Sequence, residues 1–489
     1  MKNNRIIIVL ACLLLGSLGA RGQYNETNHL LYHAQRSPQS NIMNPAFFPA
    51  NSTFYISLPN LEVKLGSPLA INDMMHYDQQ AGQTIIDVNS IFDQLSDENK
   101  MRVGANIDIL GFGFKVKHTF YTFNLRLVNA INVGMPISTF DALQNGNIDA
   151  NGNAIDEIAM LRGDLVDIQS YLEAGIGMGY LIEPLNLTVG LRAKLLYGIA
   201  NIQSENTHVT LHSNAALDEV TARMYYEIQA ATFVPYDTVK GQFDFGNIGN
   251  MVNPFEANTG LAFDLGAKYD WGPFTFSLAI NDLSAGIHWK KNVSTWRPEN
   301  GQGYIEFSGL DVNTLLHGGS LNTDSISNYL QERIDAMKPT RVDSGDYWYS
   351  IPTKINLGAS YNFAKMLRAG LLFHGQFDRG IFCKRNDNRY GLAADVENTF
   401  RFNTTLSLSA NLWNWAEVIV GNSLVYDGSS LDVLNPGVGI ILTPFTVFQL
   451  HIMADYISSF YLAEAKSFNV KFGINLLFGR GGSKKITEG

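Results

Sequence analysis

Two-residue alternation runs through most of this chain, and no other feature limits its fold so severely. Phe468, Val470, Phe472, Ile474, Leu476 and Phe478 interleave with Asn469, Lys471, Gly473, Asn475, Leu477 and Gly479. Leu187, Val189, Leu191, Ala193, Leu195, Tyr197 and Ile199 do the same with Thr188, Gly190, Arg192, Lys194, Leu196 and Gly198. The rhythm returns in 172–180, 261–269, 274–280, 355–361, 402–412 and 448–456. Successive strand side chains point to opposite faces, whereas a helix repeats every 3.6 residues, so these are strands with one apolar and one polar or small face.

A soluble β-sandwich alternates too, but three features separate this chain from one. Several runs reach ten residues or more, the length of a tilted membrane strand. The polar faces carry ionisable groups in mid-strand: Glu173, Arg192, Lys194, Asp264, Lys268, Lys354, Asp455 and Lys471. Aromatics gather near strand ends, at Trp271, Trp289, Trp348, Trp413 and Trp415, as interface girdles do. The eight ionisable groups are therefore the candidate lumen-lining residues. Both signs are interspersed, which predicts pairing across the lumen rather than a single-sign selectivity ring.

Connection lengths strengthen the reading. Strands are expected at 105–117, 120–132, 170–182, 186–201, 258–270, 273–289, 351–363, 366–377, 401–412, 415–426, 433–443, 446–457 and 467–479. Short turns alternate with longer connections, as periplasmic turns alternate with external loops in outer-membrane barrels. Thirteen strands cannot close an antiparallel barrel of even strand number, so a further strand must precede residue 105. Phe54-Tyr55-Ile56-Ser57-Leu58, continuing toward Leu65, fits that place. The fold expected is all-β, an antiparallel transmembrane β-barrel of about 14 strands. A hairpin in 205–232 would extend an external loop, or, counted in the wall, give 16 strands. Helical spacing at Ile85–Leu95 and Ile326–Met337 predicts helical patches in external loops.

The organisation follows. Lys2 and Arg5, the apolar run Ile6 to Leu18 and Ala20-Arg21-Gly22 form a secretory signal over 1–22, with Gln23 first in the mature chain. Val9-Leu10-Ala11-Cys12 loosely resembles a lipobox, against which stand bulky Leu10 and the apolar run continuing past the cysteine. Residues 23–50 form no strand and are expected within the barrel's periplasmic end as a plug. The barrel spans 51–479 and a periplasmic tail 480–489, with both termini periplasmic in a bacterial outer membrane. No later segment approaches the ~20 apolar residues of a membrane helix. Charged residues are only 16% of the chain and the formal net charge is −10, so nothing points to nucleic acid. With Cys12 in the signal, Cys383 is alone and no internal disulfide forms.

Chemistry-bearing motifs are sparse. His29 and His33 have the i,i+4 spacing of metal ligands, but no further ligand motif accompanies them. Leu211-His212-Ser213-Asn214 sets a histidine beside a serine, yet neighbours in sequence cannot form a nucleophile–base pair and no acid is marked. Gly175-Ile176-Gly177-Met178-Gly179 alternates within a strand and is no phosphate loop. The expectation is a protein without catalytic residues, cofactor or metal.

Gln35 to Pro49, followed by Phe54-Tyr55-Ile56-Ser57-Leu58-Pro59 and later Leu110 to Gly113, resembles the opening of an uncharacterised Bacteroidota outer-membrane family. That family is catalogued as a domain of unknown function and covers nearly the whole mature chain. Asn44-Pro45-Ala46 is also similar to FadL-type fatty-acid transporters and to PorV-type barrels of the type IX secretion pathway. The resemblance implies fourteen strands with an N-terminal segment inside, and makes Gln35, Arg36, Pro38, Asn44, Pro45 and Phe47 the candidate plug residues. FadL-like resemblance implies uptake of a small hydrophobic ligand past a shifting plug, with lateral exit through the wall. PorV-like resemblance implies a shuttle or docking partner for secreted proteins, and the alternative function is a non-conducting barrel that binds an envelope protein partner as a subunit of an envelope or secretion complex. Outer-membrane lipids are the partner either way. Fold analogy alone does not choose between these functions. The transport reading predicts an apolar groove beneath the external loops.

Overall fold

The computed structural model describes residues 28–49, 52–78, 83–86, 91, 100–134, 157–163, 165–213, 220–233, 236–237, 242–243, 258–298, 305–308, 339–342, 345–364, 366–377, 400–413, 415–426, 431–445, 447–457, 461 and 464–479. The expected signal peptide, the patch at Ile326–Met337, Cys383 and the tail 480–489 lie outside them. Of the patch at Ile85–Leu95, Ile85 and Ile86 belong to the strand Gln83–Ile86 rather than a helix. Most of the rest falls outside the described residues.

Fourteen wall strands close on themselves. In chain order they are β1 (Phe54–Ser57, resuming as Asn60–Gly66), β2 (Lys100–Val116), β3 (Thr119–Gly134), β4 (Val166–Ile182), β5 (Leu187–Ser213), β6 (Thr259–Trp271) and β7 (Phe274–Leu283). The second half comprises β8 (Thr353–Ala364), β9 (Leu367–Phe377), β10 (Phe400–Trp413), β11 (Ala416–Tyr426), β12 (Leu431–Leu442), β13 (Phe448–Asp455) and β14 (Ser467–Phe478). Each pairs antiparallel with its neighbour in sequence. β1 closes the ring by pairing with both β14 (Tyr55↔Leu477, Val63↔Val470) and β2 (Tyr55↔Gly113, Val63↔Ala105). The Phe54–Phe478 pair sits at the short-turn end, so the wall begins and ends on that side.

The strand count of sixteen is excluded by register. β5 pairs with β6 directly from Leu187 to Tyr197, and among the described residues Val220–Thr232 pairs only with the outer half of β5 and with segments of the 293–308 connection. It is therefore the loop extension, not wall. One strand is shorter than its sequence suggests. The run expected at 273–289 stops at Leu283, where left-handed Asp282 (φ 59°) shifts the register against β6 and left-handed Ser284 (φ 54°) turns the chain out of the wall. Gly286–Trp289 then turns inward as a separate strand beside Tyr347–Ser350.

Exposure fixes which face is which. Ile176 (69%), Leu406 (57%) and Leu261 (56%) are open on the outside, while Arg192 and Asp264 on the inside are 0% exposed. Apolar-out and polar-in is the inverse of a soluble domain and the arrangement a barrel takes in lipid. Among the described residues no helix is long and apolar enough to cross a membrane; the strands do so. Trp271 and the stacked pair Trp413–Trp415 (5.1 Å) mark the short-turn rim. Trp289 does not belong to a girdle: it is wholly buried, in an apolar cluster with Tyr171, Leu196, Ala262, Ile287 and Ile351. The inward turn at Ser284 carried it there.

Candidate functional site: a seated inner segment and an ion-pair belt

Residues 28–49 lie inside the barrel. They form two single-turn helices, α1 (Leu30–His33) and α2 (Ser40–Met43), with Pro38 and Pro45 limiting further regular structure. Leu30, Leu31, Tyr32, Ala34, Met43 and Phe47 pack with Leu372, Ile419, Ile441 and Met453 from β9, β11, β12 and β13. This one-sided apolar seat positions the segment, and polar contacts fix it.

Three charged wall residues take its backbone. Asp455 accepts N–H bonds from His29 (2.8 Å) and Leu30 (3.3 Å). Arg368 donates to the His33 carbonyl. Arg192 donates to the Asn41 carbonyl at 2.6 Å and to Ile42 at 3.4 Å. Neutral amides add more: Gln39 and Asn475 exchange bonds at 2.8 and 3.0 Å, and Gln449 donates to the Arg36 carbonyl at 3.1 Å. Asn44 is completely buried and donates to the Ala267 and Leu278 carbonyls, both at 3.3 Å. Next to it Pro45 lies so near the wall that a Cβ on Gly190 would sit 2.3 Å from the Pro45 carbonyl. Gly266 opposite is under the same constraint from Asn44 and Pro45. Glycine is the residue that lets a backbone come this close.

Of the six residues singled out here by sequence, Asn44, Pro45, Phe47 and Pro38 are buried. Arg36 is partly buried, its side chain 3.7 Å from Glu417. Gln35 is partly buried as well. Sequence reasoning missed Leu30, Tyr32, Gln39 and Asn41, whose only signal was apolar and amide content in a segment without strand rhythm. His29 and His33 do not converge on a metal. His29 contacts the Tyr456 hydroxyl through Nδ1 and its ring lies 4.7 Å from His374, while His33 lies over Gly370. No metal-binding group of three or more residues occurs among the described residues. Burial holds the His33 imidazole down to about 3, helped by Arg368, and keeps His29 well below the ordinary range, helped by His374.

The predicted lumen charges assemble into a belt. Lys471 lies 2.9 Å from Asp108 and 3.8 Å from Glu62; Arg126 lies 2.8 Å from Asp108 and 3.8 Å from Glu173. Lys194 continues it to Glu173 (3.7 Å), Asp264 (2.9 Å) and Asp282 (2.7 Å). Arg192 pairs with Asp264 at 3.2 Å and Lys354 with Asp282 at 2.9 Å. Five acids and five bases thus run from β14 through β1 to β8. The interspersed signs predicted such pairing. Of the eight candidates, Asp455 serves the inner segment instead, and Lys268 sits at the short-turn rim, 2.8 Å from Asp270. Glu62, Asp108, Arg126 and Asp282 were missed, although strand parity alone marks most of them as inward.

A cavity of about 580 Å³ lies between the inner segment and the connection leading into β8. Ile42 and Met43 line it from one side and Trp348 to Pro352 from another. Belt residues Glu62, Arg126, Glu173, Lys194 and Lys354 reach it, so its surface mixes charge with apolar and aromatic groups. The wholly apolar groove expected under the external loops is not this cavity, and much of those loops lies outside the described residues.

A family model for proteins of unknown function, DUF5723, matches residues 45–455. The chain belongs to that family. The matched residues include β1 to β13, and β14 follows them. Comparison with curated proteins finds no match. Among solved structures the chain is similar to the toluene transporter TodX of P. putida, at 10% identity and a TM-score of 0.43, covering 94% of this chain and 96% of that one. It is similar also to the toluene transporter TbuX of Ralstonia pickettii, at 8% identity and a TM-score of 0.42, covering 90% and 94%.

Proposed function

We propose that this family member is a passive outer-membrane channel for a small, largely apolar solute, with residues 23–50 as a plug that shifts to let it pass. Both termini then lie in the periplasm and the long connections face outward. The reading is supported above all by the way residues 28–49 are held: against a wall most of whose charges pair with one another. The belt pairs wall with wall, while Asp455, Arg368 and Arg192 bond the inner segment's backbone and Glu417 meets Arg36. A segment so seated can leave without dismantling the barrel. The resemblance of Asn44-Pro45-Ala46 to FadL-type barrels agrees with that role.

A second reading has its own support. The close seating of Pro45 on Gly190 and the three charged anchors favour a lumen that stays shut. In that case the barrel is a non-conducting subunit whose external connections bind an envelope protein. Single-channel conductance of the full-length mature chain and of a chain lacking residues 23–50 separates the two. Transport predicts a much larger conductance for the folded truncated barrel, whereas equal conductance in two folded barrels contradicts the plug. Extraction from native membrane in mild detergent adds a further test. A co-extracted apolar small molecule supports transport, and a stoichiometric protein partner supports the scaffold.

A further inference from the structure

The cavity above Ile42 and Met43 contains polar groups that the ion-pair belt does not use. Strand register places Lys354, Gln376 and Arg401 side by side on β8, β9 and β10, and all three line the cavity. Gln376 is 0% exposed, and neither its amide nitrogen nor its amide oxygen has a partner. A buried amide with both ends unpaired is unfavourable and rare. Two residues away on the same face, His374 also lines the cavity with an unpartnered buried Nε2.

The hydrogen-bond network assigns the tautomer of that imidazole. Asn356 Nδ2 donates to Asn281 Oδ1 (3.0 Å) and to the Met43 carbonyl (3.1 Å), so its Oδ1 is the acceptor facing His374 Nδ1 at 2.6 Å. Nδ1 carries the proton and Nε2 is a bare acceptor. β9 therefore offers the cavity one unused donor, Gln376 Nε2, and two unused acceptors, Gln376 Oε1 and His374 Nε2. Two cations flank the donor. Tyr171, Trp348 and Tyr349 supply aromatic surface in the same space.

We infer that this cavity binds an aromatic or similarly apolar solute carrying a carboxylate with a hydroxyl or amine beside it. The carboxylate accepts from Gln376 Nε2 between Lys354 and Arg401. The neighbouring donor serves Gln376 Oε1 or His374 Nε2, and the apolar part lies against the aromatic side chains. A cavity of about 580 Å³ falls within the range of small-ligand sites. This inference rests on the channel reading and names the headgroup chemistry of its solute.

Isothermal titration of the purified full-length mature barrel with three probes tests it: 3-phenyllactate, 3-phenylpropionate and propylbenzene. The expected order of affinity is phenyllactate, then phenylpropionate, then propylbenzene, each step about tenfold, the value of a charged or well-placed hydrogen bond. Gln376→Leu, which keeps the volume and removes both polar ends, should weaken phenyllactate at least about tenfold and leave propylbenzene within about twofold. The ranking in the unmodified protein needs no variant, so a Gln376→Leu chain that fails to fold does not shield the inference. Propylbenzene binding as tightly as phenyllactate, or a folded Gln376→Leu barrel with unchanged phenyllactate affinity, would overturn it. The channel reading fails separately. The predicted ranking without phenyllactate flux through either full-length or truncated barrels in liposomes removes the channel and keeps the site. Propylbenzene uptake without phenyllactate binding does the reverse.

Discussion

The two halves of the lumen are built on different physics. From β14 through β1 to β8 the inner wall is a belt of alternating charges closed on itself. From β9 to β13 it is mostly neutral or apolar apart from Arg368, Arg401, Glu417 and Asp455, and there α1 is seated on Leu372, Ile419, Ile441 and Met453. Buried ions are costly unless each has a geometrically good partner. Pairing them within the wall satisfies most of that half's charge without the inner segment, although Arg192 also donates to Asn41 and Ile42. A seat of apolar contacts and hydrogen bonds, with Asp455 and Arg368 as its charged anchors, involves far fewer ion pairs and can be vacated. The difference teaches that closure of the barrel and closure of its lumen are separable, and four changes test that separation.

The largest effect should come from the belt. Asp264→Leu strands the buried Arg192 and takes one of the three acids from Lys194, and should cost about 3–5 kcal/mol. Heat-modifiability in gel electrophoresis should show a marked drop in the unfolding temperature of the whole barrel. Next, Gly190→Val places a Cβ inside the backbone of Pro45 while suiting a strand. Overpacking there should weaken docking of the segment by about 1–3 kcal/mol. Conductance should rise while the barrel's unfolding temperature changes little. A comparable or slightly smaller loosening is expected from Asp455→Asn, which removes the charged acceptor for His29 and Leu30, a change of about 1–2 kcal/mol read by hydrogen exchange at Leu30 and Leu31.

Acidity supplies the gentlest probe. The docked His33 titrates near 3 because it is buried beside Arg368, against an ordinary value near 6.5 once the segment is free. Its docked value is the lower one, so docking is strongest above about pH 6.5 and weakens as pH falls toward 3, by about 1.4 kcal/mol per unit. Conductance should therefore rise between pH 6.5 and 5, and His33→Gln should flatten the slope. An unchanged slope in that variant would mean that His33 is not released when the lumen opens.

Strand rhythm made the wall legible almost residue by residue, because an apolar-out, polar-in strand cannot slip by one position without exposing charge to lipid. The missing first strand followed from parity, and Phe54–Ser57 with Asn60–Gly66 occupies that place. The rule failed where local backbone overrode it. Left-handed Asp282 and Ser284 ended β7 early and buried Trp289, and nothing in apolar periodicity signals such a break. The belt was half legible: Glu173, Arg192, Lys194, Asp264, Lys354 and Lys471 stood out as mid-strand charges. Asp282 lay past the alternating run 274–280, and Glu62 in the continuation of the first strand toward Leu65, where no alternation stands out. The inner segment was legible as non-strand with a motif at Asn44-Pro45. Its partners were not, because glycines such as Gly190 and Gly266 record a contact from the far side of the lumen that no local pattern reveals.

Native-state hydrogen exchange across the whole mature barrel tests the separation most directly. If lumen closure is independent of barrel closure, the amides of residues 30–44 exchange through an opening of lower free energy than those of β9 to β13, which stay protected until global unfolding. Identical opening free energies for the inner segment and the strands that seat it would contradict the account, because the segment would then leave only when the barrel itself comes apart.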